Sequence, residues 1–409
     1  MEHSSLWLTH VRLETGWRRE GDAVSGTETA LYHIRIAEGS IAEIRPANAL
    51  PEDGVPQTDM GGALMLPAMR DMHIHLDKTY YSGPWKAPGP APQGIFSRIE
   101  EEEQLLPKLL PTAQYRAERL IELLLASGTT HFRTHCNMDP VVGLNNLEAT
   151  LRAAETYQDR ATFEIVAFPQ HGLLRSQAAG LVREALRSGA SLAGGVDPAT
   201  VDGDIEKSLN TMMELAVEAD AGVDLHLHDP GHLGVFTIQR LADLTEQAGW
   251  QGRVTVSHAL ALADIPPEEA AAVAARMADL GISVTSSVPL GRTIPIPMLA
   301  KQGVRVELGH DSITDHWSPF GKGDSLEKAG TLAERFGWGS EAALGASLGF
   351  VTGGRTPLDG EGRRAWPMPG DEASAVFVDA SCSAEAVARR AARKALLHRG
   401  KPVFGLESV

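Results

Sequence analysis

Residues 63–78 read ALMLPAMRDMHIHLDK. A run apolar enough for a buried strand closes on His73-Ile74-His75, followed by Asp77 and Lys78. On a strand, residues i and i+2 leave the same face about 6–7 Å apart along the chain. Two imidazoles so placed can converge on one metal ion through bonds of about 2.0–2.1 Å. A lone His-x-His also occurs as a hydrogen-bonded pair, so the reading depends on what the rest of the chain places beside it.

Seven more runs of the same kind follow: TTHFRTH (129–135), TFEIVAF (162–168), SLAGGV (191–196), VDLHLH (223–228), VTVSHA (254–259), SVTSSV (283–288) and VRVELG (304–309). Between them lie segments rich in Ala, Leu and Glu, such as AERLIELLLASG (117–128) and PEEAAAVAARMADLG (267–281), many ending in the glycine that tolerates a left-handed helix stop. Eight strand–helix alternations predict an α/β fold, a (β/α)8 TIM barrel. An open doubly wound sheet is the alternative, but no GxGxxG follows the early strands. The ends are β-rich: 6–13 alternates, 31–47 reads as a hairpin turning at Glu38-Gly39-Ser40, and 395–405 as a hairpin turning at Arg399-Gly400. We expect residues 1–64 and 366–409 to form a small β-sandwich domain and 65–365 the barrel.

Composition narrows the partners. The chain has 409 residues, 43% hydrophobic and 22% charged, with a net charge of −16. That charge repels nucleic acid and anionic membrane surfaces, leaving small ligands and, in a homo-oligomer, further copies of the chain. Two distant cysteines, Cys136 and Cys382, without a CxxC motif, fit a reducing compartment. The start, MEHSSLWLTHVRLETGW, has neither the basic region nor the apolar core of a leader, so a cytoplasmic location is expected.

Chemistry in a barrel sits where the strands end. Six of the eight runs close on such residues: His73 and His75, His135-Cys136-Asn137, Gln170-His171, His226-Leu227-His228-Asp229, Ser257-His258 and His310-Asp311-Ser312. A third histidine from the fifth strand and a carboxylate from the eighth would complete a nitrogen-rich set suited to Zn²⁺ or Fe²⁺, with room for water. His171 and His228 are expected in structural or supporting roles, and His10, His33 and His398 as ordinary residues of the terminal strands.

Taken together, HIHLDK (73–78), RTHCNMDP (133–140), EIVAFPQHG (164–172), DLHLHD (224–229), SHA (257–259) and GHDSITDHWSPFG (309–321) resemble the amidohydrolase superfamily. The branch is that of bacterial cytosine deaminase and the aminohydrolases of aminotriazines. The resemblance implies one divalent transition metal ion, Zn²⁺ or Fe²⁺, held by His73, His75, His226 and Asp311. It further implies that Asp311 and His258 serve the attacking water, and that a small heterocyclic substrate meets Gln170 and Trp317. The implied reaction is hydrolytic deamination of an amino-substituted nitrogen heterocycle.

Two positions depart from the pattern. Asp229 stands where the family has a proton-shuttling Glu, one methylene longer, and a displacement of about 1 Å can cost about a hundredfold in rate. Ser312 replaces a second carboxylate that faces the pyrimidine in cytosine deaminase, so plain cytosine is disfavoured. Asp229 is therefore expected as the proton relay and Ser312 as a substrate contact. The alternatives are a cyclic amide hydrolase, whose bridging lysine is missing from the fourth strand (AGGVD, 193–197), and a relative that binds metal or ligand without turnover. GPWKAPGPAPQG (83–94) reads as a loop placed to cover the mouth, IEEEEQ (99–104) as a solvated helix start, and FGKGD (320–324) as a turn into a helix capped by Asp324.

Overall fold

The apolar run at 63–69 is divided between two sheets. In the computed structural model, which describes residues 5–406, Leu64–Pro67 pairs with the terminal strands and the barrel begins at Met69. The crossing is at Ala68, whose N–H is taken by the Ser374 carbonyl (3.1 Å), while that of Met69 goes to Gly128 (2.9 Å). The first barrel strand thus starts later than the hydrophobic run, and residues 64–67 join the terminal sheet. Residues 1–4, the start of the stretch read as lacking a leader, and 407–409 lie outside the described residues.

The terminal sheet begins with β1 (Leu6–Glu20), β2 (Ala23–Ala37), β3 (Ser40–Pro46), β4 (Gln57–Asp59) and β5 (Leu64–Pro67). The barrel follows as β6 (Met69–Ile74), β7 (Thr129–Asn137), β8 (Thr162–Phe168), β9 (Leu192–Val196), β10 (Gly222–His226), β11 (Val254–Ser257), β12 (Ser283–Ser286) and β13 (Val306–Leu308). The chain returns to the terminal sheet with β14 (Ala375–Val378), β15 (Arg393–His398) and β16 (Lys401–Phe404). That sheet runs β16-β15-β14-β5-β1-β2-β3, with β4 on β1, and both expected hairpins are present. Beyond expectation, β1 and β2 extend into 15-residue arms.

Period-two alternation glues the two units together. On β5 and β14, Leu64, Leu66, Val376 and Val378 face the barrel core, while Met65, Ala375 and Phe377 face the small domain's own core with Leu8, Leu13, Ile34 and Leu397. All are buried, and each such large side chain contributes roughly 1.5–3 kcal/mol. Strands from across the sheet share that second core, so the sheet curls over it as expected of a sandwich.

The barrel strands run parallel in chain order from β6 to β13. Glycine lets neighbours close in: a Cβ on Gly194 of β9 would stand 2.7 Å from the Ala167 carbonyl of β8. The ring closes through a bridge between Ile74 and Asp311, where Asp311 N–H donates to the His73 carbonyl (2.6 Å) and His75 N–H to that of Asp311 (3.2 Å). Gly309 permits this seam, since a Cβ there would meet the His73 backbone at 2.5 Å. Helix α1 (Ile95–Leu109) follows the long loop after β6. No helix among the described residues is long and apolar enough to cross a membrane.

Candidate metal centre and active site

The seam that closes the barrel also assembles the candidate ligands. His73 and His75 at the end of β6 and His226 at the end of β10 bring ring nitrogens within 4.8 Å of one another. Asp311 Oδ1 lies 3.5 Å from His73 Nε2 and 3.3 Å from His75 Nε2. Hydrogen bonds fix two tautomers. His75 Nδ1 donates to the His135 carbonyl (3.0 Å) and His73 Nδ1 to Ser257 Oγ (3.0 Å), whose hydroxyl is in turn held by Asp224. Both Nε2 atoms therefore point a lone pair into the mouth.

The electrostatics suit a cation. Among the described residues, His73 Nε2 and both ring nitrogens of His226 are buried without a hydrogen-bond partner, which buried polar atoms rarely tolerate unless a ligand takes them. Burial, with the neighbouring Lys78 charge, pushes His75 down to about 4, and burial beside other histidines holds His226 well below its ordinary value. Burial opposes the Asp311 charge, yet the close approach of the His73 and His75 rings and the field of His258 hold its carboxyl well below the usual range. Three imidazoles and an ionised carboxylate are the donors that Zn²⁺ or Fe²⁺ takes, with a position left for water. Asp311 (φ 65) and His258 (φ 70) both sit in the left-handed region, a strain of about 1–3 kcal/mol each that surrounding structure must hold.

His258 stacks into the same space, its ring centre 4.7 Å from His73 and 4.4 Å from His228. His228 is bound through Nδ1 to Asp197 Oδ2 (2.9 Å), leaving Nε2 free to face the mouth. Burial lowers the basicity of His228, but the charge and hydrogen bond of Asp197 outweigh it and raise its pKa. Asp229 is engaged elsewhere. Its carboxylate accepts from Ala199 N (3.1 Å), Thr200 N (3.2 Å) and the Thr200 hydroxyl, tying down the turn after β9. His228 and Asp229 both lie just past the end of β10, where the chain turns the His228 ring toward His258 and the Asp229 carboxylate toward the turn at 199–200.

A second wall is built around Glu102, at odds with a solvated acidic helix start. The inward stripe of α1 runs Ile99, Glu102, Leu106, and Glu102 is completely buried. Lys78, buried as well, reaches Glu102 Oε1 (3.4 Å) and Gln170 Oε1 (3.0 Å). The Trp317 indole N–H also donates to Glu102 (3.1 Å). Ser312, half-buried, lines a cleft of about 230 Å³ with Asp311, Lys328 and Phe320. The turn at 320–324 leads, as expected, into a helix at Ser325 capped by Asp324 through Leu326 N (2.9 Å). Sequence reading missed Glu102, Asp197 and the placement of His228; the helical spacing from Ile99 to Leu106 was the available signal for the first.

The sequence model of the amidohydrolase family (Amidohydro_3) matches residues 58–404. The chain belongs to the amidohydrolase family. The Escherichia coli (strain K12) protein "Uncharacterized protein YahJ" is 46% identical over 98% of this chain and 87% of its own. The crystal structure of N-isopropylammelide isopropylaminohydrolase from Burkholderia multivorans superposes with a TM-score of 0.86 at 33% identity, covering 98% of both chains. That of 5-methylcytosine deaminase from Klebsiella pneumoniae, liganded with 5-fluorocytosine, gives 0.78 at 25% identity, again over 98% of both. The latter two are enzymes that act on C–N bonds of heterocycles, and their structures share this fold along its whole length.

Proposed function

We propose that this amidohydrolase removes an amine, ammonia or an alkylamine, from a nitrogen heterocycle by hydrolysis. The observation that carries the reading is the pairing of a three-histidine set and Asp311 with the adjacent His228–Asp197 couple. The ligands would be His73, His75, His226 and Asp311, and a divalent ion bound there, Zn²⁺ or Fe²⁺, would supply an activated water.

The chain's own groups divide the remaining work. The free oxygen of Asp311 accepts the water's proton, and His258 orients the water and donates toward the oxygen charge that develops on the ring carbon. His228, its Nδ1 fixed by Asp197, carries a proton on Nε2 to the departing amine. This moves the relay expected of Asp229 to His228, because the Asp229 carboxylate is committed to the turn at 199–200. Gln170 and the face of Trp317 would hold the ring, with Ser312 at the edge of the neighbouring cleft.

Cyclic amide hydrolysis with a bridging lysine fits less well. β9 ends on Gly195-Val196 without a lysine, and the Lys78 ammonium is tied to Glu102 and Gln170. The test is amine release by metal-loaded protein across aminopyrimidines, aminotriazines, their N-alkyl forms, aminopurines, pterins and cyclic guanidines. Metal-dependent release from one ring class supports the proposal, whereas hydrolysis confined to ring amides, with two metals per chain, contradicts it.

A further inference from the structure

Five side chains from four segments donate to the one carboxylate of Glu102. They are Lys78 after β6 (3.4 Å), Asn137 at the end of β7 (2.9 Å), His171 after β8 (3.0 Å), and His316 (2.8 Å) and Trp317 (3.1 Å) after β13. Burial disfavours charge on Glu102, but Lys78 and the hydrogen bonds of His171 and His316 overcome this and hold it ionised. A buried carboxylate so fully paired has no capacity left for a substrate. Its effect has to pass through the groups it holds.

Donor accounting shows what passes on. A lysine ammonium only donates, so the atom of Gln170 that meets Lys78 Nζ at 3.0 Å must be the amide oxygen. The amide is thereby turned with its NH₂ away from Lys78, and that nitrogen has no protein partner among the described residues. The indole N–H of Trp317 and Nε2 of His171 and His316 are already spent on Glu102, so Trp317 offers a ring only its face. Of Gln170 and Trp317, the hydrogen-bonding group left uncommitted is the Gln170 NH₂, a donor; Asn137 Oδ1 and His316 Nδ1 are acceptors unpaired among the described residues but wholly buried.

We propose that Glu102 is a positioning residue that acts through Lys78 to lock Gln170 as a donor, so that the pocket selects rings presenting an acceptor edge. That edge is an oxo oxygen or a deprotonated ring nitrogen, as in a cyclic imide or ureide anion. A ring offering an amino group or a ring N–H at that edge would meet donor against donor. The inference rests on the reading that the heterocycle binds in this mouth.

The test is calorimetric binding to the metal-loaded full chain of two probes: barbiturate, an oxo-rich anion at neutral pH, and 2,4,6-triaminopyrimidine, whose edges carry amino donors. The wild type is expected to prefer barbiturate, and Glu102→Gln and Lys78→Met should each weaken it about ten- to a hundredfold, as losing a charged buried hydrogen bond does. Triaminopyrimidine should change by less than about threefold. The double variant should bind barbiturate no more weakly than the weaker single one, because both act on one element. Equal losses for both probes, additive losses, or no wild-type preference overturns the proposal. Should Glu102→Gln fail to fold, Lys78→Met alone decides through the same selectivity. Amine release is scored separately: selective binding without release from any ring would refute the reaction and leave this inference standing.

Discussion

Replacing His228 by Gln, and separately Asp229 by Ala, discriminates the two candidate proton carriers. His228 Nδ1 is 2.9 Å from Asp197 and its ring is 4.4 Å from that of His258, so its Nε2 faces the reacting space. A positioned general acid or base contributes typically about 10²- to 10⁴-fold, and His228→Gln should lower kcat by that factor with metal content unchanged. Asp229 makes its contacts with the turn at 199–200. Losing that cap should cost about 1–2 kcal/mol, lowering Tm by a few degrees, while kcat stays within about tenfold. Steady-state amine release, metal analysis and thermal melts on the same preparations give all three readouts. If Asp229→Ala abolishes turnover and His228→Gln spares it, the relay is misassigned.

Three further outcomes are expected. Chelation, or Asp311→Asn or His226→Ala, should reduce bound metal below one per chain; restoring the ion at about 100 times its Kd should return about 2.7 kcal/mol of stability to the wild type, read as a Tm shift. Gly309→Ala places a methyl 2.5 Å from the His73 backbone, and overpacking of about 1–3 kcal/mol with displacement of His73 should lower both Tm and metal affinity, checked by melting and competition with a chromophoric chelator. Burial, helped by the Arg399 charge, pushes His398 down to about 4, so the folded state keeps it neutral while the unfolded chain protonates it near pH 6.5. Stability from this residue is complete above about pH 6.5 and is lost as pH falls toward 4. Both its ring nitrogens lack partners among the described residues, so His398→Leu should flatten that stretch of the stability–pH curve, as urea titrations from pH 7 to 4 would show.

The barrel was legible because its strands end in chemistry as well as in turns. His73-x-His75, His226, His258 and Asp311 sit at strand ends in barrel order, and the structure gathers all five in one mouth. What escaped reading has physical causes. An apolar run does not say which sheet it serves, so the division at Ala68 between β5 and β6 was invisible. The sequence places Asp229 at the family's glutamate position but does not show that its carboxylate caps the turn at 199–200. Four consecutive glutamates suggest solvent, but on α1 the one at position 102 shares its face with Ile99 and Leu106. Charge composition spoke for the run, and helical phase decided the residue.

The central claim is tested most directly by measuring amine release from the ring panel with metal-free protein and with the same protein reloaded with one equivalent of Zn²⁺ or Fe²⁺. The account predicts no release without metal, and release from one ring class that saturates at one ion per chain and disappears in Asp311→Asn. Undiminished release by the metal-free protein, or no release from any ring by protein shown to hold the ion at His73, His75 and His226, would contradict it.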